Sequence, residues 1–109
     1  MKTTNVGDLL KNVGKIRKDI EKIQSDLRHR VVEGEVQGGK IRVLMNGQQE
    51  LMKVTIEPEL VAAGEAGREL LEDLLVAAIS QALDKSKKLK NEEMQKATGG
   101  LGLNFADLL

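Results

Sequence analysis

His29 is the one histidine of a 109-residue chain that has no cysteine, tryptophan or tyrosine. A nucleophilic relay needs an imidazole held between convergent partners, and no orienting motif accompanies His29. It is expected exposed, near a helix end. Glu33 and Glu35 have the spacing of two carboxylates on one strand face, but Arg42 is the simpler partner for them across a hairpin. Glu72 and Asp73 are neighbours on an expected helix and so point apart. No cluster of metal ligands stands out. Gly99-Gly100-Leu101-Gly102 matches neither a phosphate-cradling loop nor a dinucleotide fingerprint, and no strand precedes it. Met45 and Met52 sit where a strand would face a core, as fillers. These residues name no catalytic group, no metal site, no cofactor and no small-molecule substrate.

Phosphate neutralisation is the chemistry that remains. The chain carries 17 basic and 17 acidic residues, and the sum hides a zoning. Residues 1–30 hold eight Lys/Arg against four Asp/Glu, residues 31–80 four against nine, and residues 81–109 five against four. Lys11, Lys15, Arg17, Lys18, Lys22, Arg28 and Arg30 gather on or near the first helix, and Lys85, Lys87, Lys88 and Lys90 gather late in the last. These are the candidate contacts to a phosphate backbone, which Lys and Arg bind through charge without reading bases. The plainer alternative is a solvated face with pairs such as Lys15–Asp19.

The elements that must hold these charges follow from periodicity. Val6, Leu9, Val13, Ile16, Ile20, Ile23 and Leu27 alternate spacings of 3 and 4, a heptad seam on a long helix that needs a partner helix. After residue 30 the period falls to 2, and Gly38-Gly39 and Asn46-Gly47 punctuate three short runs. Two-residue loops there set Val36 against Ile41, Glu35 against Arg42 and Ile41 against Met52, with Glu50 opposite Val43 as the misfit. Pro58 ends the third strand. Residues 60–67 are expected as a loop or broken helical turn, and residues from about 68 to 97 as a helix with Leu71, Leu74, Leu75, Ala78, Ile79, Ala82 and Leu83 on its apolar face. The fold class is thus α+β: helix, three-stranded antiparallel meander, helix. Residues 1–97 form one domain, and 98–109 a flexible glycine-containing tail. With one aromatic residue, Phe105, the core is thin, and a second copy is the natural way to thicken it. Val13, Ile16, Ile20, Ile23 and Leu27 on the seam, and Leu44 and Leu51 on the second sheet face, are the candidate packing and dimer residues. No apolar run is long enough to span a bilayer and no signal peptide opens the chain, so the expected address is the cytoplasm.

The order of these elements, with Gly34-Glu35, Gly38-Gly39, Ile41-Arg42-Val43 and Asn46-Gly47, resembles the YbaB/EbfC family. Val54-Thr55-Ile56-Glu57-Pro58-Glu59-Leu60, Leu71-Glu72-Asp73-Leu74-Leu75-Val76-Ala77-Ala78, and Met94 followed by Thr98-Gly99-Gly100-Leu101 fit the same pattern. The resemblance implies a bacterial homodimer with protruding helices in a tweezer-like arrangement, binding duplex DNA in the nucleoid through its first and last helices. Two departures stand out: an Ile/Val heptad where relatives are rich in Met and Gln, and a tail without their Pro-Gly step. The competing expectation is a protein-interaction adaptor that docks through the heptad helix and the Leu44/Leu51 face, its lysines serving only solubility.

Overall fold

The computed structural model describes residues 6–97, with side chains from residue 12 onward. Helix α1 (Val6–Arg28) leads into strands β1 (Val31–Val36), β2 (Ile41–Asn46) and β3 (Leu51–Ile56), a short helix α2 (Pro58–Ala62) and the long helix α3 (Gly64–Ala97). The three strands form one antiparallel sheet in the order β1-β2-β3, so the α+β meander expected from periodicity is what forms. Pro58 starts α2, and Gly64, at φ 69°, makes the break before α3. The tail expected at 98–109 lies outside the described residues, as do the side chains of Val6, Leu9 and Lys11.

The first hairpin has the expected register, Val36 with Ile41 and Glu35 with Arg42. Gly38 and Gly39 both take positive φ, 63° and 90°, the backbone a primed turn demands. Arg42 nevertheless leans diagonally, its Nε 3.9 Å from Glu33 rather than bonded to Glu35.

The second hairpin differs from expectation. Ile41 pairs with Ile56 and Val43 with Val54, so Met52 is not the partner of Ile41 and Glu50 is not in the ladder at all. The reason is the chemistry of Asn46. Its Oδ1 accepts the backbone N–H groups of Gln48 (2.9 Å) and Glu50 (3.1 Å), while its own N–H donates to the Glu50 carbonyl at 3.0 Å. That network closes a longer loop through Gln49, which sits at φ 60°. A bulge at Leu44/Met45 then sets Lys53 opposite Leu44 and Leu51 opposite Met45. Leu44 and Leu51 therefore do not share a face, as had been expected of them, because cross-strand partners lie on the same side of a sheet.

The core forms where α3 crosses β1 and β2. Ile41, Val43 and Met45 are buried against Leu74, Ala78 and Ala82, with Leu60 closing the end. Gly34 permits that contact: a Cβ there would collide with the Ala78 carbonyl oxygen and lie 2.9 Å from the Ala82 nitrogen. Buried positions on α3 continue through Ser86, Lys90 and Met94 at every fourth residue. A four-residue step overshoots one turn by about 40°, so the stripe winds around the helix from the sheet toward α1.

Helix α1 is fastened at its C-terminal end. The Gly47 N–H donates to the carbonyls of Leu27 (2.8 Å) and Arg30 (3.0 Å), capping the helix from the β2–β3 loop. Gly47 has no positive φ; it is glycine because Leu27 Cδ2 would stand 2.7 Å from a Cβ. The Gln48 Nε2 donates to the Gln24 carbonyl at 3.1 Å, and Ser86 joins α3 to the same loop, donating to the Asn46 carbonyl at 2.7 Å and accepting from Gln49. Seam burial fades outward: Leu27 is sealed, Ile23, Ile20 and Ile16 are half-buried, and Val13 is 57 % exposed.

Candidate nucleic-acid interface

Because Ile16, Ile20, Ile23 and Leu27 turn toward α3, the residues between them must turn away. Lys15 and Lys18 occupy that outer side, while Lys22 lies at its flank and lines the groove between α1 and α3 with Glu93, Lys96 and Ala97; all three are exposed. None has an ion-pair partner among the described residues, so the Lys15–Asp19 pair that the solvated-face alternative offered does not form. Arg17 lies 3.7 Å from Glu21 one turn on, both largely in solvent, a pair worth little. Arg28, near the helix end, is exposed without an ion pair among the described residues, and Arg30 sits 3.8 Å from Glu93 of α3. His29 is exposed beside them, as expected.

The four α3 candidates are sorted more sharply. Lys87 and Lys88 are exposed, with no partner among the described residues. Lys85 is occupied: its Nζ donates to the Glu33 carbonyl at 2.7 Å. One turn earlier, Gln81 Oε1 accepts the Glu35 N–H, also at 2.7 Å. Together the two side chains cover the outer edge of β1, which would otherwise offer free backbone groups. Lys90 is buried, on the stripe that faces inward. Thus the structure leaves Lys15, Lys18, Lys22, Arg28, Lys87 and Lys88 as free cations, and gives Arg17, Arg30 and Lys85 other engagements.

A second surface lies on β3. Helix α3 covers β1 and β2 but stops short of this strand, and Leu51, Met52 and Val54 remain about half exposed. Val54 and Ile56 belong to the same sheet face as Val43 and Ile41, so apolar core face runs out into solvent along the β3 edge. Of the two sheet residues singled out from sequence, Leu44 is half-buried on the other face and Leu51 is exposed here. Among the described residues no helix is long and apolar enough to cross a membrane, and no group of acidic residues and histidine is fit to hold a metal.

Comparison with known proteins bears on what these surfaces serve. The model of the YbaB/EbfC DNA-binding family matches residues 1–101. The chain belongs to the YbaB/EbfC DNA-binding family. A nucleoid-associated protein of Chlorobaculum tepidum is 38% identical over 109 residues, covering 100% of this chain and 94% of that one. One from Ruminiclostridium cellulolyticum is 42% identical over 98 residues, covering 90% and 84%. An uncharacterized protein from Helicobacter pylori superposes with a TM-score of 0.79 at 15% identity, covering 89% of this chain and 100% of that one, a likeness of fold. A YbaB/EbfC protein is a nucleoid-associated, non-enzymatic DNA-binding protein.

Within this YbaB/EbfC chain, sequence reasoning missed the residues that anchor α1: Asn46, Gly47, Gln48 and Ser86. Asn46-Gly47 was legible as a turn, but its side-chain hydrogen bonds and its contact with Leu27 depend on tertiary placement. Lys96 was also passed over; it lies 3.2 Å from Glu93 Oε1, the same oxygen that Arg30 approaches at 3.8 Å.

Proposed function

We propose that the protein acts at the nucleoid as a homodimer that binds duplex DNA with low sequence preference, mainly through Lys/Arg contacts to phosphate. The observation that carries this reading is the exposed, unpaired row Lys15, Lys18 and Lys22 on α1, the first two turned away from the face that packs on α3 and the third at the mouth of the groove between the helices. Cations held on a rigid helix and free of internal partners neutralise phosphates without being withdrawn from carboxylates first. Lys87 and Lys88 supply a second exposed pair on α3. The dimer is supported by β3, whose uncovered Leu51, Met52 and Val54 adjoin the core face at an open sheet edge, while the β1 edge is already covered. Relatives that align along the whole chain bear the name nucleoid-associated protein, which agrees with this role.

Fluorescence anisotropy with two unrelated duplexes, each at low and near-physiological salt, tests the reading. Similar affinities that fall linearly on a log–log salt plot are expected. Replacing Lys15, Lys18 and Lys22 together by Glu should weaken binding at least tenfold on both duplexes, and Lys87→Glu with Lys88→Glu should do so too, each leaving the dimer intact. Wild-type protein that binds neither duplex at low salt would hand the assignment to the adaptor reading, with a protein docked on β3.

A further inference from the structure

Lys90 breaks the pattern of the stripe it belongs to. Its neighbours on the buried side of α3 are Ala78, Ala82, Ser86 and Met94, yet this lysine is nine-tenths buried among them. It has no hydrogen bond and no ion pair among the described residues. No side-chain nitrogen or oxygen there is both sealed from solvent and unpartnered, so the Lys90 ammonium must still reach solvent. The opening it lines is a cleft of about 460 Å³ between the end of α1, the β2–β3 loop and α3, walled by Gln24, Arg28, Gln48, Glu50 and Lys90. Its stem is thus packed in the fold while its charge opens on this cleft with no carboxylate bonded to it.

We infer that this cleft is a phosphoryl-anion site in which Lys90 is the principal cation and Arg28 the second. Arg28 also lacks an ion pair among the described residues, so two positive charges face one carboxylate, that of Glu50. Glu50 is already turned to the loop, its Oε1 accepting from the Asn46 Nδ2 at 2.9 Å. The remaining excess is one positive charge, matched to a single anionic group. Gln24 and Gln48 line the same walls with amides, and Gln48 is held in place by its bond to the Gln24 carbonyl at 3.1 Å. The buried stem fixes Lys90 before any ligand arrives, unlike the free side chains of Lys87 and Lys88, and such ordering favours binding. A duplex phosphate and a free phosphate monoester present the same chemistry to this cleft.

The experiment is a titration of the full chain with inorganic phosphate, followed by the backbone amide resonances of Gln48, Gln49 and Glu50. Saturable shifts are expected, at least tenfold weaker in Lys90→Met, which keeps the apolar stem, and in Arg28→Gln, whose exposed side chain bears no load in the fold. Lys40→Met, a cation outside the cleft that pairs with Glu59, should behave as wild type, and Glu50→Gln should tighten binding several-fold. A salt titration of DNA binding separates the sources. If Lys90→Met lowers the log–log slope by about one per protomer, the occupant is a duplex phosphate; an unchanged slope assigns a free phosphate monoester. Loop amides indifferent to phosphate, or equally shifted in both cleft variants, overturn the inference. Because phosphate is titrated without DNA, failure of the wild-type chain to bind DNA would defeat the proposed function and leave this site standing.

Discussion

Gly34 and Ser86 show how much of this fold hangs on small side chains. Gly34 lies under α3 where the Ala78 carbonyl and the Ala82 nitrogen leave no room for a Cβ, and the atoms in the way are backbone. Gly34→Ala must push the helix off the sheet, so unfolding stability should fall by roughly 1–3 kcal/mol, read as a lower urea midpoint at unchanged slope. Ser86 fails differently. It is fully buried, donates to the Asn46 carbonyl and accepts both the Gln49 N–H at 3.2 Å and its Nε2 at 3.0 Å. Ser86→Ala opens almost no volume but strands those groups, at a cost of about 1–3 kcal/mol. Hydrogen exchange should speed up at Gln49, with the core strands affected only through global stability. Gly34 was legible in the sequence as part of a family pattern, though its reason is a contact with a helix more than forty residues away in the chain. Ser86 and Lys90 were legible only as polar residues, because which side of α3 faces inward depends on how the stripe winds between two partners.

At the scale of elements, the helices and strands were readable because period 3.5 and period 2 differ plainly and glycine pairs mark the change. What failed was a register. Asn46-Gly47 has the composition of a two-residue turn, yet the Asn46 side chain binds two amides beyond it and lengthens the loop. The misfit of Glu50 opposite Val43 was the signal available, since a charged residue opposite a core valine argues against the register that puts it there. The corrected register moves Leu51 to the same side as Val54, which concentrates exposed apolar surface on β3. If β3 is the dimer edge, Met52→Lys with Val54→Lys should convert a species of twice the chain mass to a monomer in sedimentation. Both side chains are exposed, so thermal stability of the monomer fold should change little. Leu44→Lys on the other face should leave a dimer; loss of dimer there instead would transfer the interface to that face. The basic zones were likewise visible in outline, but not the sorting within them, because Lys85 is withdrawn by a strand carbonyl that is 52 positions distant.

The whole molecule is long and thin, with extents of 72 × 21 × 18 Å and a radius of gyration of 20.0 Å. A compact chain of this size would have a radius of gyration near ~13 Å. The length comes from the 34-residue α3, about 51 Å of helix, and from α1 running out past its anchor at Gly47, so that Lys15 and Lys18 stand clear of the sheet and its acidic residues. That separation resolves the apparent conflict between a net charge of zero and DNA binding: what a duplex meets is set by local charge within about 10 Å at ordinary salt, not by the sum. It also gives the proposed dimer a role beyond thickening a small core. Each protomer offers few free cations, and a duplex held by one of them alone would neutralise only a few phosphates. In the proposed dimer, two protomers joined rigidly would double that number, and the second set would bind at high effective concentration. The monomeric Met52→Lys, Val54→Lys chain, with its lysine rows intact, should therefore bind DNA at least tenfold more weakly, with a log–log salt slope about half that of the dimer. The two added lysines per chain act against this outcome, so a halved slope would be strong support for the dimer as the binding unit. A monomer with the full wild-type slope would mean instead that one protomer makes all the phosphate contacts, and that dimerisation serves to bring two duplexes together.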